Sequence, residues 1–440
     1  MKRIFLADSR SASSLLFGVF FMSILIAISI ASTSAWALMN HHVTNAAELH
    51  TALSNAQNNA DDDVIKIARG TYAGNFSYVN DDGFSITVEG GYDTMFCVRE
   101  VDPNNTILDG ENSGRVLNLY DTAGGGIMVD GLTVKNGTGT YGAGINARSD
   151  KASGDVGAIS LVHNIFTGNN ATGDDYGGGV HIYSKANNGT SADITITDNV
   201  VTGNTAGWFG GGVYAATLSY PDGNSGEITI TNNVFAGNTA TVYDSGGMAI
   251  NSGVDTASYT CGDVHVCNNT FTGNTAGRYG GGFGLSVDNG IVRVYNNVVW
   301  NNSASLNGDD IHLFSSGSVT WNGYYNDYSD LFGVSWTNSG NNINEDPLFV
   351  NPASGNYHLK GNSPCINAGI FGKRTYIPPP TDMWLVTNYS YIPAYDFEGD
   401  SRESDWVEVT TNNYYKYCDM GADEYTPRAI PFIPLLLLNN

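Results

Sequence analysis

The segment Asp309-Asp310-Ile311-His312 comes closest to an acid–base site. Two carboxylates beside an imidazole are the residue types that cleave a glycosidic bond, one as acid and one as base or nucleophile. Elimination at a uronate needs a different set: an Arg or Lys base, and Ca²⁺ held by several carboxylates. No Gly-His-Gly and no Arg-Ile-Lys segment accompanies Asp309, Asp310 and His312. A polar turn that ends a run of repeats accounts for the same residues, and that reading carries more weight. Asp174 and Asp175 precede a Gly cluster, and Tyr176, Trp208, Phe209 and Tyr279 recur at related positions, with Arg278 near the same edge. Together they could line a binding groove of aromatics and carboxylates. An exposed turn with stacked aromatics is the plainer account. Asp396, Glu398 and Asp400 alternate as oxygen ligands of Ca²⁺ can. Gly399 falls at the fourth position, not the sixth that a calcium-binding loop between helices requires, so solvated turns are the competing reading.

The elements that must position these residues are legible as repeats. Five segments align on Asn164, Asn199, Asn233, Asn269 and Asn297, spaced by 35, 34, 36 and 28 residues. Each runs from a short alternating apolar stretch, such as Ile194/Ile196, through Asn-x-Phe/Val to a second Asn at 169, 204, 238, 274 or 302. Most then reach an aromatic, a Gly cluster and another apolar residue, as in Phe209-Gly-Gly-Gly-Val213. Alternation of period two means a strand with one face buried. A period near 35 with several short strands per copy means one coil of a parallel β-helix, because such a coil buries its inner face only by stacking. Stacking predicts an inward column of Phe166, Val201, Phe235, Phe271 and Val299. It also predicts two ladders of Asn amides at the turns, each bonded to the next. Asn45 to Asn58 reads as a helix, with Asn45 and Glu48 set to form a capping box, and it would cover the exposed end of the first coil.

Composition agrees with this class. The 440 residues carry 54 Gly and only 14% charged residues, too much Gly and too little Lys and Glu for a helical protein. The net charge of −24 disfavours nucleic acid as a partner, and acidic glycans too unless a cation bridges the contact. Lys2, Arg3 and Arg10 precede the apolar run Leu15 to Ile30, and Ala35-Trp36-Ala37 follows it, the layout of a cleaved export signal, with an uncleaved anchor over Leu15 to Ala37 as the rival reading. Cleavage after residue 37 leaves no membrane span in the mature chain. Export permits disulfides, and Cys365 and Cys418, in one C-terminal block, are the expected pair. The expected order is a signal at 1–37, a capping helix within 38–60, a right-handed parallel β-helix over 61–345, a C-terminal block over 346–425 and an apolar tail at 426–440.

Gly90-Gly-Tyr92, Asn105-Thr-Ile-Leu-Asp-Gly110 and Val129-Asp-Gly-Leu-Thr-Val134 resemble right-handed parallel β-helix proteins of the pectin-lyase-like fold. The Asn-x-Phe and Gly-Gly-Gly copies are similar to the repeats of polymorphic outer-membrane proteins, a family of surface adhesins. Asp346-Pro-Leu-Phe-Val350, Gly361-Asn-Ser-Pro-Cys-Ile-Asn-Ala-Gly369 and Cys418-Asp-Met-Gly-Ala-Asp-Glu-Tyr425 resemble the bacterial choice-of-anchor Q family. The chain departs from that pattern at Asn367, where Asp is usual, and in an insert at 370–394. The resemblance implies an exported or surface protein. The expected function is non-catalytic adhesion or glycan binding by a monomer, with no cofactor unless Ca²⁺ occupies the C-terminal carboxylates. A polysaccharide lyase or glycoside hydrolase on the same scaffold is the alternative, and a structural component of an extracellular layer is a second.

Overall fold

The structure, a computed structural model, describes residues 38–422 except 256–257, 378–382, 389–390, 397–400, 403–406 and 411–412. The expected signal segment, the apolar tail, Glu398 and Asp400 lie outside the described residues.

The chain is all-β and winds as a right-handed parallel β-helix, the hand that parallel crossovers take almost without exception. Three long parallel sheets of eleven, nine and nine strands run along it, here called A, C and B, with a narrow six-stranded strip between B and C. One coil serves for all. Ile194–Thr197 lies in A, Val200–Thr202 in B, Thr205–Ala206 in the strip and Val213–Ser219 in C. Alternation sends Ile194, Ile196, Val201, Val213 and Ala215 inward, where all are buried. The expected column forms in register, Phe166 to Val201 to Phe235 to Phe271 to Val299. Phe235 and Phe271 stack at 4.6 Å and 3°. Burying one such Phe contributes about 2–3 kcal/mol.

Both Asn ladders form, and the first runs further than the five copies. Each amide donates to the next side-chain oxygen, as Asn199 to Asn233 at 3.0 Å and Asn204 to Asn238 at 3.0 Å. The first continues through Asn326 to Asn342. The second ends when Asn302 donates to Asp310. The turns need left-handed backbone just before each first-ladder Asn, so His163, Asp198, Asn232, Asn268 and Asn296 have φ of 54–59°.

Helix α1 (Ala46–Ala56) closes the N-terminal end with Leu49, Ala52, Leu53 and Ala56 buried. Asn45 accepts from the Glu48 amide at 3.0 Å. Glu48 reaches back to the N–H and hydroxyl of Thr44, one residue earlier than a capping box requires, and these bonds hold its carboxyl below the usual value.

The C-terminal block forms a two-stranded hairpin and a four-stranded antiparallel sheet. It seats on the flank where A turns into B. Asn296 exchanges two 2.9 Å bonds with the backbone of Ile370, and Asn232 donates to the carbonyl of Tyr395. Arg402, buried, donates to Asn232 and to the carbonyls of Gly421 and Ala422.

The expected Cys365–Cys418 bond is not made. Cys365 belongs to the apolar cluster around Phe349 and Leu359, where its thiol donates to Asp327. Cys418 belongs to a separate cluster with Cys267, Tyr295 and Ile370, and its sulfur accepts from Asn296. Membership of one block does not bring two side chains together when the block spreads over two clusters. No helix among the described residues is long and apolar enough to cross a membrane.

Candidate ligand-binding cleft

The register of sheet C fixes a cleft. One outward row reads His181, Tyr214, Ala249, Gly284, His312, Phe332. The parallel row two residues on reads Tyr183, Ala216, Asn251, Ser286, Phe314. Side chains in the first row shrink for two coils and then grow again. Coils lie about 4.8 Å apart, so Tyr214 and His312 face each other across roughly 14 Å. The notch between them, about 380 Å³, is floored by Ala249, Gly284, Asn251 and Ser286, with Phe314 exposed at one end. A Cβ at Gly284 would stand 2.3 Å from the hydroxyl of Ser245, which would have to turn aside to admit it.

The edge of the cleft is a run of rings along the turn that enters sheet C. Tyr141, Tyr176 and Phe209 stack at 5.7 and 5.6 Å. In the next coil Asp244 takes the ring's place. Arg278 binds its carboxylate through Nε at 3.1 Å and Nη2 at 3.4 Å, and is itself held between Tyr243 at 4.6 Å and Tyr279 at 5.2 Å. His312 Nδ1 stands 4.0 Å from Asp244, with its ring against Tyr279 and Phe332. Burial raises the Asp244 carboxyl above its usual range, although Arg278 and His312 pull it back. Burial lowers His312, with Asp244 opposing and Arg278 assisting. The cleft therefore holds one mutually neutralised ion pair and an imidazole biased to its neutral form.

Among the described residues, Asp244 is the one carboxylate that lines the cleft. Glycoside hydrolysis in either stereochemistry uses two. The single cation, Arg278, is engaged with Asp244 and not poised as a base. The arrangement presents aromatic surface, amide and hydroxyl groups and a fixed ion pair to a bound molecule.

The sequence-predicted residues divide. His312, Tyr176 and Phe209 line the cleft, while Tyr279 supports His312 and Arg278. Asp309 and Asp310 do not line it. Asp310 is buried, takes the last ladder amide on one oxygen and Ser329 on the other, and Asp309 accepts from the amide of Ala304. Asp174 is exposed and Asp175 buried, and neither lines the cleft. Trp208 stands nearly perpendicular to Tyr176 (85°) and Tyr243 (66°), so its plane runs along the stack. Asp396 is buried in the C-terminal block, and among the described residues no three His, Cys, Asp or Glu gather as a metal site would need. Sequence reasoning missed Asp244, Tyr214 and Phe314. A signal for the first was present: Tyr243-Asp244-Ser245-Gly-Gly replaces the aromatic-Gly-Gly-Gly of its neighbours.

No family model, no curated protein and no solved structure matches this chain.

Proposed function

We propose that this is an exported β-helix protein that binds a neutral glycan in the sheet C cleft without turning it over. The observation that carries the reading is the loss of side-chain bulk at Ala249 and Gly284 beside the Asp244–Arg278 pair. A sugar is recognised by apolar ring surface together with hydrogen-bonding groups of fixed orientation. Tyr214 and Phe314 supply the first, and Asn251, Ser286, Asp244 and Arg278 the second. Neutral ligands are favoured because the charges in the cleft cancel and the chain as a whole is at −24. The export layout and the resemblance of the repeats and C-terminal motifs to surface adhesins and the choice-of-anchor Q family support a ligand outside the cell or on a neighbouring one.

The test is retention and calorimetry of the protein with neutral and uronate-containing oligosaccharides, with reducing ends and unsaturated products followed in the same samples. Saturable binding of a neutral oligosaccharide, weakened at least tenfold by Ser286→Trp and by Asp244→Asn, is expected. New reducing ends that vanish in Asp244→Asn would replace the reading by a hydrolase. Absence of binding across the panel would leave a structural role in an extracellular layer.

A further inference from the structure

The outer face of sheet A carries a second cleft, of about 470 Å³, built from other residues. Its floor follows from register. Thr195, Thr229, His265 and Arg293 form one outward row, and Thr197, Thr231, Cys267 and Tyr295 the next. Glu227 and Asp263, immediately before two of these strands, also line it, and Tyr391 and Pro393 of the C-terminal block complete it. Tyr391 stacks on His265 at 5.0 Å and 20° and meets Tyr295 edge-on at 5.5 Å.

Its charges do not cancel. Arg293 is committed to Asp263 at 2.5 Å. His265 is neutral near pH 7, because burial and the Arg293 charge hold it down at about 4. Glu227 is left as a half-exposed carboxylate, with Thr229 donating to it at 3.2 Å and His265 Nε2 at 3.6 Å. His265 is itself more than nine-tenths buried, and its Nδ1 has no hydrogen-bond partner. Among the described residues, the cleft is thus rich in acceptors, carries one uncompensated negative charge, and has its cation engaged.

From this we infer that the sheet A cleft binds a saccharide bearing a protonated amine. The ammonium answers the Glu227 carboxylate, and the sugar hydroxyls answer Thr229 and Thr231. A neutral N-acetyl group in place of the amine would leave Glu227 uncompensated and bring a carbonyl acceptor to a site already full of acceptors. The inference does not depend on the sheet C cleft, which shares no residue with this one.

The test compares glucosamine oligosaccharides with their N-acetylated counterparts by calorimetry on the intact protein. An acidic protein attracts any polycation, so Glu111→Gln, which removes the same charge from an exposed turn, is the reference for Glu227→Gln. Expected are at least tenfold tighter binding of the amine form, a tenfold loss in Glu227→Gln, and neither loss in Glu111→Gln nor in Asp244→Asn. Equal affinity for amine and N-acetyl forms, equal losses in the two Gln variants, or no binding of the amine form would each overturn the inference. A loss in Asp244→Asn alone would assign the amine to the other cleft.

Discussion

Asp327 is a carboxylate buried where its charge is costly. It is fully buried, accepts from the amide of Glu345 and from the Cys365 thiol, and burial pushes it up to about 6. A carboxyl raised on folding is ionised more readily in the unfolded chain. Stability is therefore lost as pH rises from about 4 to 6, and the penalty is constant above that. Asp327→Asn should stabilise the protein by about 2 kcal/mol at pH 7 and by nearly nothing at pH 4, read from urea midpoints. His163 works in the other sense. Its Nδ1 meets Asp130 at 3.0 Å and its Nε2 stands 3.6 Å from Asp198, and the Asp130 bond raises it. That contribution is complete below the ordinary imidazole value of 6.5 and fades as pH rises through the higher folded one. Asp130 is lowered, and its own share disappears as pH falls through its depressed value. His163→Gln should shrink the acid limb, since His163 leads the groups that lower Asp130, and should flatten the stability profile just above pH 6.5. A profile that keeps its slope there would refute the assignment. At this scale the sequence was an uneven guide. Asp310 and His312 are two residues apart yet do not share a face, because Asp310 lies before the strand Ile311–Phe314 and turns in to the end of the second Asn ladder. Asp244 and Arg278 meet across 34 residues.

The ladders show what repeated elements contribute. Asn233 donates to Asn269, to the carbonyls of Ile196 and Thr231, and accepts from both nitrogens of Asn199. Replacing it with Ala strips partners from buried groups in two neighbouring coils, so Asn233→Ala should cost about 3–5 kcal/mol in urea unfolding. Asn342→Ala, at the half-buried end of the same ladder, should cost about 1 kcal/mol. Gly203 sits at φ 61° with nothing within 4 Å of a built Cβ, and the fifth copy carries Asn301 at φ 56° in the equivalent place. Gly203→Ala should therefore cost only the backbone preference, about 1 kcal/mol, and Gly203→Asn less. These elements were legible in advance because an Asn that bonds to its own image must recur at the coil period. The cleft was less so. Its rows join Tyr214, Ala249, Gly284 and His312 at separations of 35, 35 and 28 residues, because loops of unequal length lie between strands in exact spatial register. The seat of the C-terminal block was not legible. Asn268 and Asp419 meet across 151 residues with no repeat to announce it.

For the molecule as a whole, stability is a sum over neighbouring coils plus what the flanking block adds. Arg402 ties that block to Asn232 and to its own chain at Gly421 and Ala422. Arg402→Met should loosen the block by about 3–5 kcal/mol, since it leaves carbonyls buried without their charged donor. Limited proteolysis should then cut within 346–422 while the coils stay protected; uniform protection in both would argue against the tie. The stacking of parallel strands also sets how the protein carries a load. Coils are joined in series along the axis by one rung of backbone and ladder bonds after another, whereas across the axis many rungs share the strain. A pull along the axis should peel coils from an end singly, each releasing about 12 nm of chain for 34–36 residues, in a sawtooth of similar peaks. A sideways pull should meet a single, higher barrier. A molecule of this build yields gradually to tugging from its tip and stands firm against shear.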